Sequence, residues 1–224
     1  MIDSEEPNIL ITFEHNVSFV RFIHDKLLPT TVQIKATIFP MVEEVSENEF
    51  DMAISKAKFW IETIVSKCIV FSKNNPVASR LFVDMDKTPI PANLFMITPE
   101  EPTDEQIAML FQAKLTALSG MKVGFAEFTI KSNNFSELSF MFVGETHEVL
   151  PSHVEWVGER SYFTESWWDR DDASTFDIVP VEDADLSEKP KWAYTLDFLN
   201  AEMNKPDEAT VHGFKPTVID GGAN

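Results

Sequence analysis

The sequence is short of cysteine, glycine and long apolar runs, and each shortage excludes a class of protein. Its one cysteine, Cys68, forms no intrachain disulfide, so a reducing compartment such as the cytoplasm is the default. None of its seven glycines belongs to the G-x-x-x-x-G-K-S/T or G-x-G-x-x-G patterns that cradle phosphates. No apolar run approaches the roughly 18 residues that cross a bilayer, and the acidic opening MIDSEEPN lacks a signal peptide's basic start. We therefore predict a cytoplasmic protein without a membrane segment.

Basic residues are also scarce. The chain has 37 aspartates and glutamates against 18 lysines and arginines, which gives a formal net charge of −19. Direct binding of nucleic acid is disfavoured, because it relies on cationic groups that release condensed counterions. A protein partner with a basic surface fits this charge, while the simpler alternative is that the acidity only keeps the protein soluble.

What the sequence does contain divides it into two regions. Hydrophobic residues make up 44% of the chain, enough for a core, and they follow regular periods as far as residue 164. Residues 165–224 lose that periodicity and hold 14 of the 37 acids but only 5 of the 18 bases. We predict a domain at 1–164 and an acidic C-terminal arm at 165–224.

Periodicity predicts the elements of the first half of the domain. Residues 8–13 form a short apolar run of strand length, and Asn16 is a plausible cap for a helix that ends at Leu28, before Pro29. In residues 31–39, TVQIKATIF, strict alternation predicts a strand with one wet face. Ser46 with Glu49 is a capping box, followed by an apolar stripe that runs to Phe71 and predicts a helix of about six turns.

The second half of the domain alternates in the same way. Residues 80–86 and 92–98 are predicted strands, and Thr103 caps a predicted helix at 104–118 that Gly120 stops. Residues 121–131 and 137–145 are β-rich and joined by SNNFS, which predicts a hairpin. The order favours an α+β fold: a mixed, mainly antiparallel sheet with two or three helices packed on it, plus an irregular C-terminal arm.

The stretch GETHEVLPSHVE, residues 144–155, raises the question of a metal site. If it folds as a hairpin, His147 lies opposite His153, and Glu145 lies opposite Glu155. Those four side chains then share one face and supply ligands that zinc accepts. The alternative is an ordinary polar hairpin edge.

A second candidate for chemistry is DMDKT, Asp84 to Thr88, which follows the apolar run LFV. It resembles the first motif of the haloacid-dehalogenase phosphatases, although Lys87 stands where that family usually has glycine. The resemblance implies that Asp84 is the nucleophile, that Asp86 is the acid and base, and that magnesium is the cofactor. The alternative is a pair of aspartates that end a strand before a proline-containing turn.

The arm combines acidity with large aromatic side chains, which solvating disordered segments lack. We expect these rings either to pack on the chain's own domain or to dock a partner. The predicted partner-binding residues are Trp167, Trp168, Phe176, Trp192, Tyr194 and Phe198.

The sequence as a whole favours a non-enzymatic, acidic protein-interaction module without a cofactor. Its role would be that of an accessory, inhibitor or scaffold component, and a phage or mobile-element origin would suit that role. The alternative is a metal-dependent hydrolase that uses zinc or magnesium at one of the two sites above. Partner identity and oligomeric state are left open.

Overall fold

The computed structural model describes residues 11–76, 94–135, 137–158, 161 and 163–177. The predicted strand at 80–86, with Asp84 and Asp86, lies outside these residues. So do the arm residues Trp192, Tyr194 and Phe198.

The described part of the chain begins with a long β-hairpin. Strand β1, Ile11–Ile23, pairs antiparallel with β2, Lys26–Pro40, through a two-residue turn in which His24 and Asp25 both have positive φ. That conformation suits the right-handed twist of a tight hairpin, and His and Asp tolerate it better than most residues. The predicted strand at 31–39 is confirmed within β2, but the helix predicted from Asn16 to Leu28 is wrong.

The hairpin forms the centre of a mixed sheet with the order β4-β3-β1-β2-β5-β6 in the described residues. Its other strands are β3, Ile69–Ser72; β4, Phe95–Thr98; β5, Val123–Ser132; and β6, Phe140–Phe142. The β1–β2, β2–β5 and β5–β6 pairs are antiparallel, whereas β1–β3 and β3–β4 are parallel. Strand β3 corrects the prediction that the helix continues to Phe71, because Cys68 is already extended. The predicted α+β class with a mixed, mainly antiparallel sheet is confirmed.

The helices begin where the capping residues predict. Helix α1, Glu47–Phe59, has the Ser46 and Glu49 capping box and continues through a π turn and a 3-10 turn to Lys67. Helix α2, Asp104–Leu118, is capped by Thr103, and a short helix α3 spans His153–Val157. No helix in the described residues is long and apolar enough to cross a membrane.

A buried ion pair fixes the start of α2 against the sheet. Arg21 Nη1 of β1 lies 2.5 Å from Asp104 Oδ1, and Ser132 of β5 donates a 2.7 Å hydrogen bond to Asp104 Oδ2. Burial lowers the pKa of Arg21, and the Asp104 carboxylate opposes that shift. Arg21 occupies a position on the buried face of β1 where an alternating strand pattern would place an apolar residue. The alternation of β1 is therefore hard to recognise in the sequence.

The first part of the predicted arm packs into the same core as the sheet. Trp167 is 0% exposed, and its ring centroid lies 6.3 Å from that of Trp60. Ile97 of β4 donates to the Thr175 carbonyl and accepts from Trp167 Nε1, so this segment also covers the edge of the sheet. Trp168 and Phe176 are buried in the same core. These three rings therefore contact the chain's own domain, which corrects their assignment to a partner surface.

Candidate binding groove

A groove of about 590 Å³ lies over α2 and the first half of β5. We call it the acidic groove. Its floor is formed by Ala113, Thr116 and Ala117 of α2 and by Gly124, Phe125 and Ala126 of β5. Small side chains on the helix leave the space above it open, so the groove follows directly from alanines at positions 113 and 117, one helical turn apart.

One end of the acidic groove is an apolar lip. It is lined by Phe39 near the end of β2, by Met41 just after that strand, and by Met121, which are 40%, 43% and 54% exposed. The Phe39 ring lies over Gly124, its cross-strand neighbour, so closely that an added Cβ would stand 2.4 Å from Phe39 Cζ. Large exposed apolar side chains gathered at a concave surface are typical of binding sites.

Part of the free edge of β5 beneath the lip is already hydrogen-bonded to the C-terminal end of α2 and its cap residue Ser119. Ser119 Oγ donates a hydrogen bond to the Val123 carbonyl at 2.9 Å and accepts one from the Val123 N–H at 3.0 Å. Phe125 N–H donates to Thr116 Oγ1 at 3.4 Å. An added strand would therefore compete with these hydroxyls, and the groove is better suited to side chains than to β-strand addition.

Two side chains of α2 hold the long walls of the groove. Gln112 Nε2 donates to the Gly144 carbonyl at 3.1 Å, which positions the wall at residues 144–147. Lys114 Nζ donates to the carbonyls of Trp167 and Arg170, both at 2.7 Å, which positions the wall at residues 165–169. Ala113 lies between them in sequence, so a single helical turn sets the width of the groove.

The second wall is braced by buried charges. Burial lowers the pKa of Lys114 to about 8, although Asp172, at 3.6 Å, opposes the shift. Arg170 lies 2.5 Å from Asp177, which also accepts hydrogen bonds from Trp156 Nε1 and from the Trp167 N–H. Each of these contacts involves a charged group, and charge-assisted hydrogen bonds are strong. The network therefore holds the wall at residues 165–169 in one conformation before a ligand binds.

The rim of the groove is acidic. Glu145 and His147 stand on one wall, and Glu165 and Asp169 stand on the other. No lysine or arginine is among the groove's lining residues in the described part of the chain. Partial loss of solvent around the Asp169 carboxylate raises its pKa to about 6, and repulsion from Glu165 adds to the shift, although the residue as a whole is exposed. Such a shift at a cleft marks a position where a cation would be favoured.

Gln112 contributes an unused acceptor. The residue is 9% exposed, and its Oε1 has no hydrogen-bond partner among the described residues, while its Nε2 is engaged with Gly144. A buried polar atom left without a partner costs roughly 1–3 kcal/mol. Native structures rarely carry this cost without a reason, and a ligand that donates a hydrogen bond would remove it.

The predicted metal-binding hairpin at residues 144–155 is wrong. Residues Thr146–Glu148 form a 3-10 turn, and His153 begins α3, so the two histidines are not cross-strand neighbours. Glu155 is instead the capping-box partner of Ser152. Within the described residues, no group of three His, Cys, Asp or Glu side chains is arranged to hold a metal ion. Glu145 and His147 nevertheless lie at a functional candidate, as rim residues of the acidic groove.

The sequence analysis did not single out Gln112 or Lys114. Nothing local marks them, since a glutamine and a lysine within a helix are ordinary. The one available signal was Ala113 and Ala117, two small residues one helical turn apart on the buried side of the helix. No protein-family model matches the chain, and no curated protein matches its sequence.

Proposed function

We propose that this chain is a non-enzymatic, acidic protein-interaction module that docks a basic segment of a partner protein in the acidic groove. The observation that carries the proposal is the composition of the groove: carboxylates on both walls, an apolar floor and lip, and no lysine or arginine among the described residues that line it. A lysine or arginine side chain matches this arrangement, because its aliphatic stem packs on apolar surface while its cationic head meets carboxylates. The role would be that of an accessory, inhibitor or scaffold component.

The proposal gives the arm two parts. Glu165 and Asp169 supply one wall of the groove, and Trp167, Trp168 and Phe176 hold that wall from beneath. Contact of Trp192, Tyr194 and Phe198 with the partner stays a prediction, since these residues lie outside the described part of the chain.

The experiment uses a defined probe. A fluorescent peptide in which lysine alternates with leucine, acetylated and amidated at its ends, is titrated with the full chain at roughly 0.15 M salt, where distant charges are screened. The same peptide with glutamate in place of lysine is the comparison. We expect saturable binding of the lysine peptide alone.

Matched variants separate the groove from the general acidity. The double variant Glu165→Gln, Asp169→Asn should weaken binding roughly three- to tenfold, because each partly exposed ion pair contributes up to about 1 kcal/mol. The double variant Asp51→Asn, Glu137→Gln changes the net charge equally at exposed positions outside the groove and should have little effect. Equal losses in the two double variants, or equal binding of the glutamate peptide, would overturn the proposal.

A further inference from the structure

A second cleft lies further along the segment that begins at Gly144. It has a volume of about 500 Å³, and the continuation of the same segment, from Glu148 to Pro151, lines it. Glu100, Glu148 and Glu155 contribute carboxylates. The side chain of Glu155 is already engaged with Ser152. Glu100 and Glu148 also line this cleft, and their carboxylates form no hydrogen bond or ion pair with the described residues.

The base of the second cleft carries an unused donor. Gln106, in the first turns of α2, is 7% exposed, and its Nε2 has no hydrogen-bond partner among the described residues. The one basic residue in this lining, Lys73, is turned toward protein groups: its Nζ donates to the Trp156 carbonyl at 3.0 Å and lies 4.8 Å from the centroid of the Trp156 ring. The cleft therefore offers carboxylates and an amide N–H.

The two clefts complement each other. Both are flanked by α2 and share the wall at residues 144–151, both have acidic rims, and each contains one glutamine amide with an unused atom. Gln112 has a free acceptor and Gln106 has a free donor. An extended peptide carries both partners that these amides lack, since every non-proline residue has one N–H and one C=O.

We propose that the acidic groove and the second cleft bind a single extended segment that crosses the wall and places one basic side chain in each. The inference rests on the proposed function and adds a second contact to it. Gln112 Oε1 accepts from an N–H of the segment on one side, and Gln106 Nε2 donates to one of its carbonyls on the other. The two glutamines are six residues apart on α2, roughly 9 Å along its axis and about 120° apart around it. An extended chain covers the axial part of that distance in about three residues, so the basic side chains are spaced by at least that number.

The test compares synthetic peptides that carry either one lysine or two lysines at spacings from one to six residues in a glycine-leucine background. Binding to the full chain is measured by fluorescence anisotropy. Two-lysine peptides of matching spacing should bind more than about tenfold more tightly than the one-lysine peptide, because the second contact is made intramolecularly. If the two-lysine peptides bind no more tightly at one spacing than at another, the inference is overturned and the proposed function stands. If no peptide shows saturable binding, both are overturned.

Variants of the second cleft identify the contact. Gln106→Met removes the amide but keeps the length of the side chain. It should weaken two-lysine peptides severalfold and leave the one-lysine peptide unchanged, while the unfolding midpoint in urea stays the same or rises, since an unpaired buried donor has been removed. Glu148→Gln should act in the same way on the peptides, and Glu137→Gln is its matched control. Unchanged two-lysine affinity in both second-cleft variants would contradict the inference.

Discussion

At the scale of single residues, the acidic groove contains groups that are poorly placed for stability. Asp169 is the clearest case, because an aspartate in partly desolvated surroundings, close to another carboxylate, favours its protonated form. Its pKa of about 6 in the folded chain, against an ordinary value of 3.8, means that the folded state binds more protons than the unfolded state between those pH values. The stabilisation from this extra binding is fully present below about pH 3.8 and is lost as the pH rises through about 6. Residues that cost stability at neutral pH are often retained for function.

Replacement of Asp169 by asparagine tests this account. At pH 7.5 the variant should unfold at a higher urea concentration than the wild type, because it lacks the destabilising charge. The gain should shrink as the pH falls through about 6 and vanish near pH 4. Urea unfolding of both proteins across this range measures the difference, and Asp51→Asn is the control. A gain that does not depend on pH would contradict the assignment.

At the scale of elements, features that depend on neighbouring residues could be predicted from the sequence, whereas features that depend on tertiary contacts could not. Ser46 and Thr103 are followed three residues later by Glu49 and Gln106, so the start of each long helix could be predicted from four residues of sequence. Strand β1 could not be predicted in this way, because Arg21 takes a core position and Phe22 is half-buried on the opposite face. Its strand conformation follows from pairing with β2 and β3, which is a tertiary effect.

The acidic groove was hidden from the sequence for the same reason. Its walls and floor come from segments around residues 39–41, 112–126, 144–147 and 165–169, which only the fold brings together. Residues 144–155 attracted attention through their two histidines, but their role depends on a 3-10 turn that the pattern did not predict. Spacing alone does not fix which face a histidine takes when the register is unknown.

The packing of Phe39 on Gly124 gives a prediction for the pair of strands β2 and β5. Gly124→Ala should lower the free energy of unfolding by about 1 kcal/mol, because the new methyl group forces the Phe39 ring away from the strand. The ring is partly exposed and can move, which keeps the cost small. In a Phe39→Ala background the same change should cost almost nothing. Urea unfolding of the two single variants and the double variant gives the coupling, and equal costs in both backgrounds would contradict the account.

At the scale of the whole molecule, the acidic charge and the aromatic arm have separate tasks. The net charge of −19 makes the entire surface attractive to cations, but the groove adds shape and an apolar lip at one place. The first residues of the arm supply a wall of that groove, and their aromatic rings belong to the core. The predicted boundary between residues 164 and 165 is therefore open to a direct test.

A chain that ends at Thr164 loses the buried rings of Trp167, Trp168 and Phe176. Burial of each large side chain contributes roughly 2–3 kcal/mol, and whole domains are stable by only about 5–15 kcal/mol. We expect this truncated chain to lack a cooperative urea transition and native near-UV circular dichroism. The full-length variant Trp167→Phe should retain both. An unchanged transition in the truncated chain would place the boundary where the sequence analysis predicts it.

The most direct test of the acidic groove as the docking site is methyl NMR of the chain labelled at its methionines. Met41 and Met121 line the groove, Met141 is exposed on β6 and is not among the lining residues, and Met96 is buried in β4. On titration with the lysine-leucine peptide, the account predicts saturable shifts of the Met41 and Met121 methyl signals with one dissociation constant. The signals of Met141 and Met96 should not move. Equal shifts at Met141, or none at Met41 and Met121 while the peptide binds, would contradict it.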